Sequence, residues 1–146
     1  MVATVLCVCT GNICRSPLAA DVLRAAAPQI DITSAGLHAL VGHGMDPDTA
    51  AAAQALGLTV TGHLARQFTD SMGSDTDLIL VMDRRQLDEI RARWPHLSGK
   101  TLLLGQFDGR REIPDPYRMG YAMHLRAAEL IAESAEHWTR QLRAMT

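Results

Sequence analysis

Apolar residues along the chain fall into short unbroken runs that alternate with longer stretches of helical spacing. Residues 2–8, VATVLCV, form a continuous β-favouring run that reads as a strand buried on both faces. Gly11 and Asn12 mark a tight loop after it. Ser16-Pro17 reads as an N-cap followed by proline at the first helical position. Leu18, Ala19, Val22, Leu23 and Ala26 then make one stripe, which predicts a helix over about residues 17–27. Pro28 follows, and Ile30 to Ser34 read as a second strand. The Gly-rich stretch from Ala35 to Asp48 reads as an ordered loop.

Asp46-Pro47 can start a helix that Gly57 ends. Leu78 to Met82 (LILVM) is another buried-strand run. Asp83 can cap a helix carrying Leu87, Ile90 and Trp94 on one face, with Pro95 ending it. Thr101 to Leu104 is a further short strand, and Glu112 to Tyr121 a loop with two prolines. Met123, Ala127, Leu130, Ile131, Ser134, Trp138 and Leu142 make a long amphipathic C-terminal helix. Strands alternating with helices predict an α/β domain with a parallel sheet. In such sheets ligands sit beyond the carboxyl ends of the strands, where the loop from Cys9 to Ser16 falls.

Length and composition narrow this further. A chain of 146 residues, 47% hydrophobic and 21% charged, fits one soluble domain with its own core. The net charge of -2 and the dispersion of thirteen Arg and one Lys give no field for nucleic acid. No apolar run reaches the roughly 18 residues of a membrane span, and the N-terminus lacks a basic n-region, so neither membrane insertion nor a signal peptide is expected. The three cysteines, Cys7, Cys9 and Cys14, are odd in number and clustered. That suits a reducing, cytoplasmic compartment and thiol chemistry better than a disulfide framework.

The chemistry concentrates in residues 9–17, CTGNICRSP. A strand delivers Cys9 to its end, a short loop wraps round, and a helix begins. Backbone N–H groups in such a loop can converge on an anion, and the helix N-terminus adds positive potential. Both favour a thiolate over a thiol. Arg15 adds a planar cation that suits two phosphate oxygens. Together these make a phosphoryl-transfer site without a metal. An inert strand cysteine is the plain alternative for Cys9, and for Cys7 it is the favoured reading. Three thiolates could bind zinc, but their spacing matches no common pattern and a fourth ligand is not near in sequence. A nucleotide P-loop would need Gly-Lys-Ser/Thr, which is absent.

The C-x5-R-S loop at the N-terminus resembles that of the low-molecular-weight protein tyrosine phosphatase family. Asp115-Pro116-Tyr117 matches the family's second signature, and the likeness runs through Ser34-Ala35-Gly36 and His63 to Gln67. GLHALVG and EIPDPYR resemble the bacterial branch that acts on tyrosine autokinases of exopolysaccharide and capsule export. The resemblance implies one three-layer domain over residues 1–146, with a four-stranded parallel twisted sheet flanked by helices. It implies a monomer that needs no cofactor, and a phosphotyrosine protein, such as an autokinase, as substrate.

Roles follow residue by residue. Cys9 attacks phosphorus to form a phosphocysteine, while Arg15 and the amides of Thr10, Gly11, Asn12, Ile13, Cys14, Arg15 and Ser16 hold the phosphate oxygens. No loop residue can protonate the departing tyrosine, so Asp115 is the expected general acid and later the base. Ser16 has two compatible tasks, as helix cap and as donor to the Cys9 sulfur. Gly11 is expected to take a backbone conformation closed to other residues. Asn12 is implied to brace the loop.

Ile13, Leu40 and Tyr117 are implied as pocket walls, Leu40 standing where eukaryotic relatives carry a large aromatic. Arg118 replaces a second tyrosine of some relatives. Cys14 is implied as a redox partner of Cys9. No histidine is assigned to catalysis, and His63 is expected to be structural. Three alternatives share the scaffold. Thioredoxin-coupled arsenate reductase needs later cysteines, which are absent. A phosphoarginine phosphatase would carry Thr where Ile13 stands. A non-catalytic anion-binding module would be expected to lose Cys9, Arg15 or Asp115.

Overall fold

The computed structural model describes residues 1–145. Four strands form one parallel sheet: β1 (Thr4–Cys9), β2 (Asp31–Gly36), β3 (Leu78–Val81) and β4 (Thr101–Leu103), in the order β2-β1-β3-β4. The apolar runs at 5–8 and 78–81 lie on the two central strands, which explains why they show no alternation: both faces are covered. Helix α1 (Arg15–Ala26) and the C-terminal α5 (Tyr121–Met145) close one face, with α2 (Pro47–Ala55) against α5. Helix α4 (Arg84–Arg93) covers the other, where Leu87 and Ile90 meet Leu6, Val8, Ile79 and Val81.

Sequence reading found all four strands and these four helices, with boundaries shifted by a few residues. It missed the short helix α3 (Asp70–Ser74), capped by Thr69, and the 3-10 turn Pro95–Lys100. Both are too short to show a periodic stripe. Asp83 caps α4 as expected, accepting from the Gln86 N–H at 3.0 Å. Asp46 caps α2, accepting from the Asp48 N–H at 2.8 Å.

The start of α1 departs from expectation. The helix opens at Arg15, its N-cap position is Cys14, and Ser16 lies inside the first turn with no capping bond. The Ser16 hydroxyl is engaged elsewhere, on Cys9. Each strand ends at the same edge of the sheet, so the loops after β1, β2 and β3 converge there.

Candidate active site

The site begins with Cys9, the last residue of β1. It pairs with Gly36 on β2, and close approach is what that glycine permits. A Cβ at Gly36 would lie 2.5 Å from the Thr10 carbonyl oxygen and 3.0 Å from Asn12 N. The five carbonyls from Cys9 to Ile13 accept from outside the loop. Those of Cys9, Thr10, Gly11 and Ile13 accept from the N–H groups of Leu37, His38, Leu40 and Asp46 at 2.8–3.0 Å. The Asn12 carbonyl accepts from His63 Nε2 at 2.6 Å. In a trans peptide the next N–H points opposite to the C=O, so the loop's amides turn inwards. Asn12 N–H already points at Cys9 Sγ, 3.3 Å away.

The left-handed residue of the loop is Asn12, at φ 57°, and not Gly11. Asparagine tolerates that conformation when its side chain bonds locally, and here it is fully used. Nδ2 donates to Ser16 Oγ at 2.8 Å and to Ser34 Oγ at 3.0 Å, while Oδ1 accepts from Arg66 N–H at 2.9 Å. Ser16 Oγ lies 2.9 Å from Cys9 Sγ. The sulfur therefore faces a hydroxyl and an amide, both able to stabilise negative charge on it.

Arg15 is 3% exposed, and its Nη1 donates to Asp83 Oδ2 and to the Ile113 carbonyl, each at 2.8 Å. Two partners fix the guanidinium plane and leave its remaining edge for an anion. Ile113 itself is anchored, its N–H bonding the Met82 carbonyl at 2.8 Å. Two residues on, Asp115 is 54% exposed, with Oδ2 3.8 Å from Arg15 Nη2. Its Oδ1 accepts from Tyr117 N–H at 3.1 Å, which ties the carboxyl to the turn carrying Tyr117. A single pocket is lined by Cys9 at its floor and by Ile13, Arg15, Leu40, Asp115 and Tyr117 around it. Arg118 stacks over the Tyr117 ring, 5.1 Å from its centre.

The Thr10 hydroxyl faces Gln86 Nε2 at 3.3 Å. Cys14 and His38 also line the pocket. All three cysteines are free thiols. Burial pushes the Cys14 thiol up to about 12, against a smaller lowering by the Thr49 hydroxyl, and burial does the same to Cys7. Sequence reasoning missed Asp83 as a partner of Arg15. The available signal was its position, the second residue beyond β3 on the edge where ligands bind. Gln67 was also missed. Its side chain accepts from Ala39 N–H and donates to the Leu37 carbonyl, holding the rim loop. Among the described residues, Asp46, Asp48 and His124 offer ligand-type atoms within 4.8 Å of one another. The first caps α2, and His124 Nδ1 is bonded to Thr49 Oγ1 at 2.8 Å.

The sequence model of low molecular weight phosphotyrosine protein phosphatases matches residues 4–146. The chain belongs to this family. It is 41% identical over 144 residues, 99% of this chain and 100% of the relative, to a putative low molecular weight protein-tyrosine-phosphatase of Klebsiella pneumoniae. Its fold superposes on the tyrosine phosphatase Wzb of Escherichia coli K30, solved with sulphate, at TM-score 0.94 and 38% identity, covering 97% of this chain and 99% of that one. Wzb of Vibrio vulnificus, solved with benzylphosphonate, gives 0.92 and 35%, with coverage of 97% and 99%. The chain is thus a protein-tyrosine-phosphatase of the low-molecular-weight family, with Cys9 at the expected active-site position.

Proposed function

We propose that the pocket hydrolyses phosphotyrosine through a phosphocysteine on Cys9, without a metal. The observation that carries this is the meeting of four groups: a sulfur at the pocket floor, inward-facing amides, the fixed Arg15 fork, and the Asp115 carboxyl beside it at the mouth. The Cys9 thiolate attacks phosphorus, and the departing phenolate oxygen takes the proton of Asp115. The Asp115 carboxylate then accepts a proton from the water that attacks phosphocysteine, releasing phosphate and restoring the thiolate. Arg15 and the amides from Thr10 to Ser16 hold the equatorial oxygens throughout. Ser16 stabilises the leaving sulfur in the second step.

Ile13, Leu40 and Tyr117 give apolar walls that suit a phenyl ring better than the guanidinium of phosphoarginine. The physiological substrate proposed is a tyrosine autokinase of exopolysaccharide production, acted on in the cytoplasm by a monomer. No described helix is long and apolar enough to cross a membrane. Cys14 also lines the pocket and is proposed as the redox partner of Cys9. Peroxide would oxidise the Cys9 thiolate to a sulfenic acid, and the Cys14 thiol would condense with it, releasing water.

The test is hydrolysis of p-nitrophenyl phosphate and of phosphotyrosine, phosphoarginine and phosphoserine peptides, with and without chelator. Cleavage of the first two, unaffected by chelator, inhibited by vanadate and lost in Cys9→Ser, is expected. Activity that survives Cys9→Ser, or that chelation removes, defeats the mechanism. Preference for phosphoarginine defeats the substrate.

A further inference from the structure

The rim segment carrying Leu40 continues into two solvent-facing aliphatic side chains, Val41 at 66% exposure and Leu64 at 72%. Scattered exposed aliphatics are ordinary on protein surfaces. These two differ in that the backbone beneath them is fixed and adjoins the pocket mouth. A tight turn runs from Leu40 to His43, closed by the His43 N–H on the Leu40 carbonyl at 3.1 Å. Gly42 stands at its third position with φ 84°, the left-handed value that a type II turn asks for there. Val41 therefore sits at the tip.

The turn is tied to the neighbouring segment twice. Gly42 N–H bonds the Ala65 carbonyl at 2.9 Å, and Ala65 N–H bonds the His43 carbonyl at 2.8 Å, which places Leu64 directly beside it. Underneath, the buried Ala65 clusters with Ile13 and Cys14 of the catalytic loop, and Leu40 packs on them. Leu40 of the pocket wall is thus followed directly by Val41 at the tip of the turn, and Leu64 adjoins that turn through the backbone bonds of Ala65.

We propose that this lip is a docking shelf for an apolar side chain of the protein substrate, close in sequence to the phosphotyrosine seated in the pocket. The inference rests on that reading of the pocket. Leu40 belongs to both surfaces, so a chain whose phosphotyrosine fills the pocket must pass over one of the pocket's sides. Residues 39–42, 64 and 65 carry no formal charge. A charged side chain laid on those residues would lose water without meeting an opposite formal charge among them. The Tyr117 wall of the mouth is different, since the Arg118 guanidinium lies over its ring. Because the shelf is pinned by backbone hydrogen bonds, docking on it orders little that is not ordered already.

The experiment compares the full-length wild type with the double variant Val41→Ser/Leu64→Ser. Substrates are p-nitrophenyl phosphate and phosphotyrosine peptides that place either Leu or Ser at each of the four positions on either side of the phosphotyrosine. At one or two positions, Leu should lower the wild-type KM by about tenfold relative to Ser, the scale of burying one aliphatic side chain. The double variant should lose that preference and keep p-nitrophenyl phosphate hydrolysis unchanged. Hydrolysis of the peptides with no Leu preference, or with a preference that survives in the variant, overturns the shelf alone. Wild-type inactivity on every phosphotyrosine peptide overturns the pocket reading and the shelf with it.

Discussion

Asp83 Oδ2 lies 2.8 Å from Arg15 Nη1, and this pair holds the buried guanidinium of the pocket in a fixed plane. The same carboxylate caps α4 through its other oxygen. One residue therefore couples the guanidinium to the helix on the far face of the sheet. Removing a single partner from a buried pair leaves the other charge uncompensated.

Asp83→Ala is expected to lower kcat/KM on the order of tenfold to a hundredfold, the equivalent of losing about 1.5–3 kcal/mol of charged hydrogen bond. It should also cost about 1 kcal/mol of stability through the lost cap. Asp83→Asn keeps a capping oxygen but still leaves the buried Arg15 charge uncompensated, so it should melt between Asp83→Ala and wild type while still losing activity. Steady-state kinetics on p-nitrophenyl phosphate, beside thermal melts, separate the two effects. Equal activity in all three proteins would show that Arg15 holds its place without Asp83.

Asp115→Asn removes the proposed proton donor but preserves the side-chain oxygen that accepts from Tyr117 N–H. Because the carboxyl is 54% exposed, stability should change by less than about 0.5 kcal/mol. Turnover should fall by roughly 10²–10⁴-fold, the usual scale of general acid catalysis. The fall should be steeper for phenyl phosphate, a poor leaving group like tyrosine, than for p-nitrophenyl phosphate. A loss independent of the leaving group would assign Asp115 to binding, through Arg15, and not to proton transfer.

The sequence was informative where the physics is local and repetitive. The apolar runs at 2–8 and 78–82 announced buried central strands, and the stripe from Met123 to Leu142 announced α5. The catalytic loop was legible because Cys9, Arg15 and Ser16 need only one short segment to meet. Asp115, about a hundred residues further along, was legible through its motif alone. What escaped was conformation and long-range pairing. Ser16 looked like a helix cap, but its hydroxyl is drawn to Cys9 and Asn12, so the helix opens at Arg15. Gly11 looked like the special backbone position, yet Asn12 holds it because its own amide pays for φ 57° with three hydrogen bonds. The bond from Asp83 to Arg15 spans 68 residues, and no spacing rule reports such a contact.

Asn12 gives a separable test of backbone against side chain. Asn12→Ala leaves the Ser34 hydroxyl and the Arg66 N–H without their Asn12 partners and forces a Cβ residue without local bonding into the left-handed region. Together these should cost about 2–4 kcal/mol in urea unfolding. Asn12→Gly relieves the backbone part alone. It should recover part of the stability, while kcat stays depressed because Ser16 is no longer oriented towards Cys9. If the glycine variant were fully active, the side-chain network would be dispensable.

The buried thiols predict how stability responds to alkali. Burial holds Cys14 and Cys7 protonated in the folded chain up to about 12. A thiol in the unfolded chain titrates at about 8.5. Below that value both states carry the proton, and the two cysteines contribute no pH dependence. Above it the unfolded chain releases protons that the folded chain retains, so the unfolded state binds fewer and stability falls as pH rises towards about 12. Thermal melts at about pH 7.5 and about pH 10.5 should therefore show a drop for the wild type that is smaller in Cys14→Ala, whose baseline is already lower from the vacated volume. The same protonation makes Cys14 slow to alkylate near neutral pH, so iodoacetamide should label Cys9 first, as read by peptide mass spectrometry. Equal alkaline slopes in the two proteins, together with equal labelling of Cys9 and Cys14, would mean that Cys14 opens to solvent and ionises as an ordinary thiol.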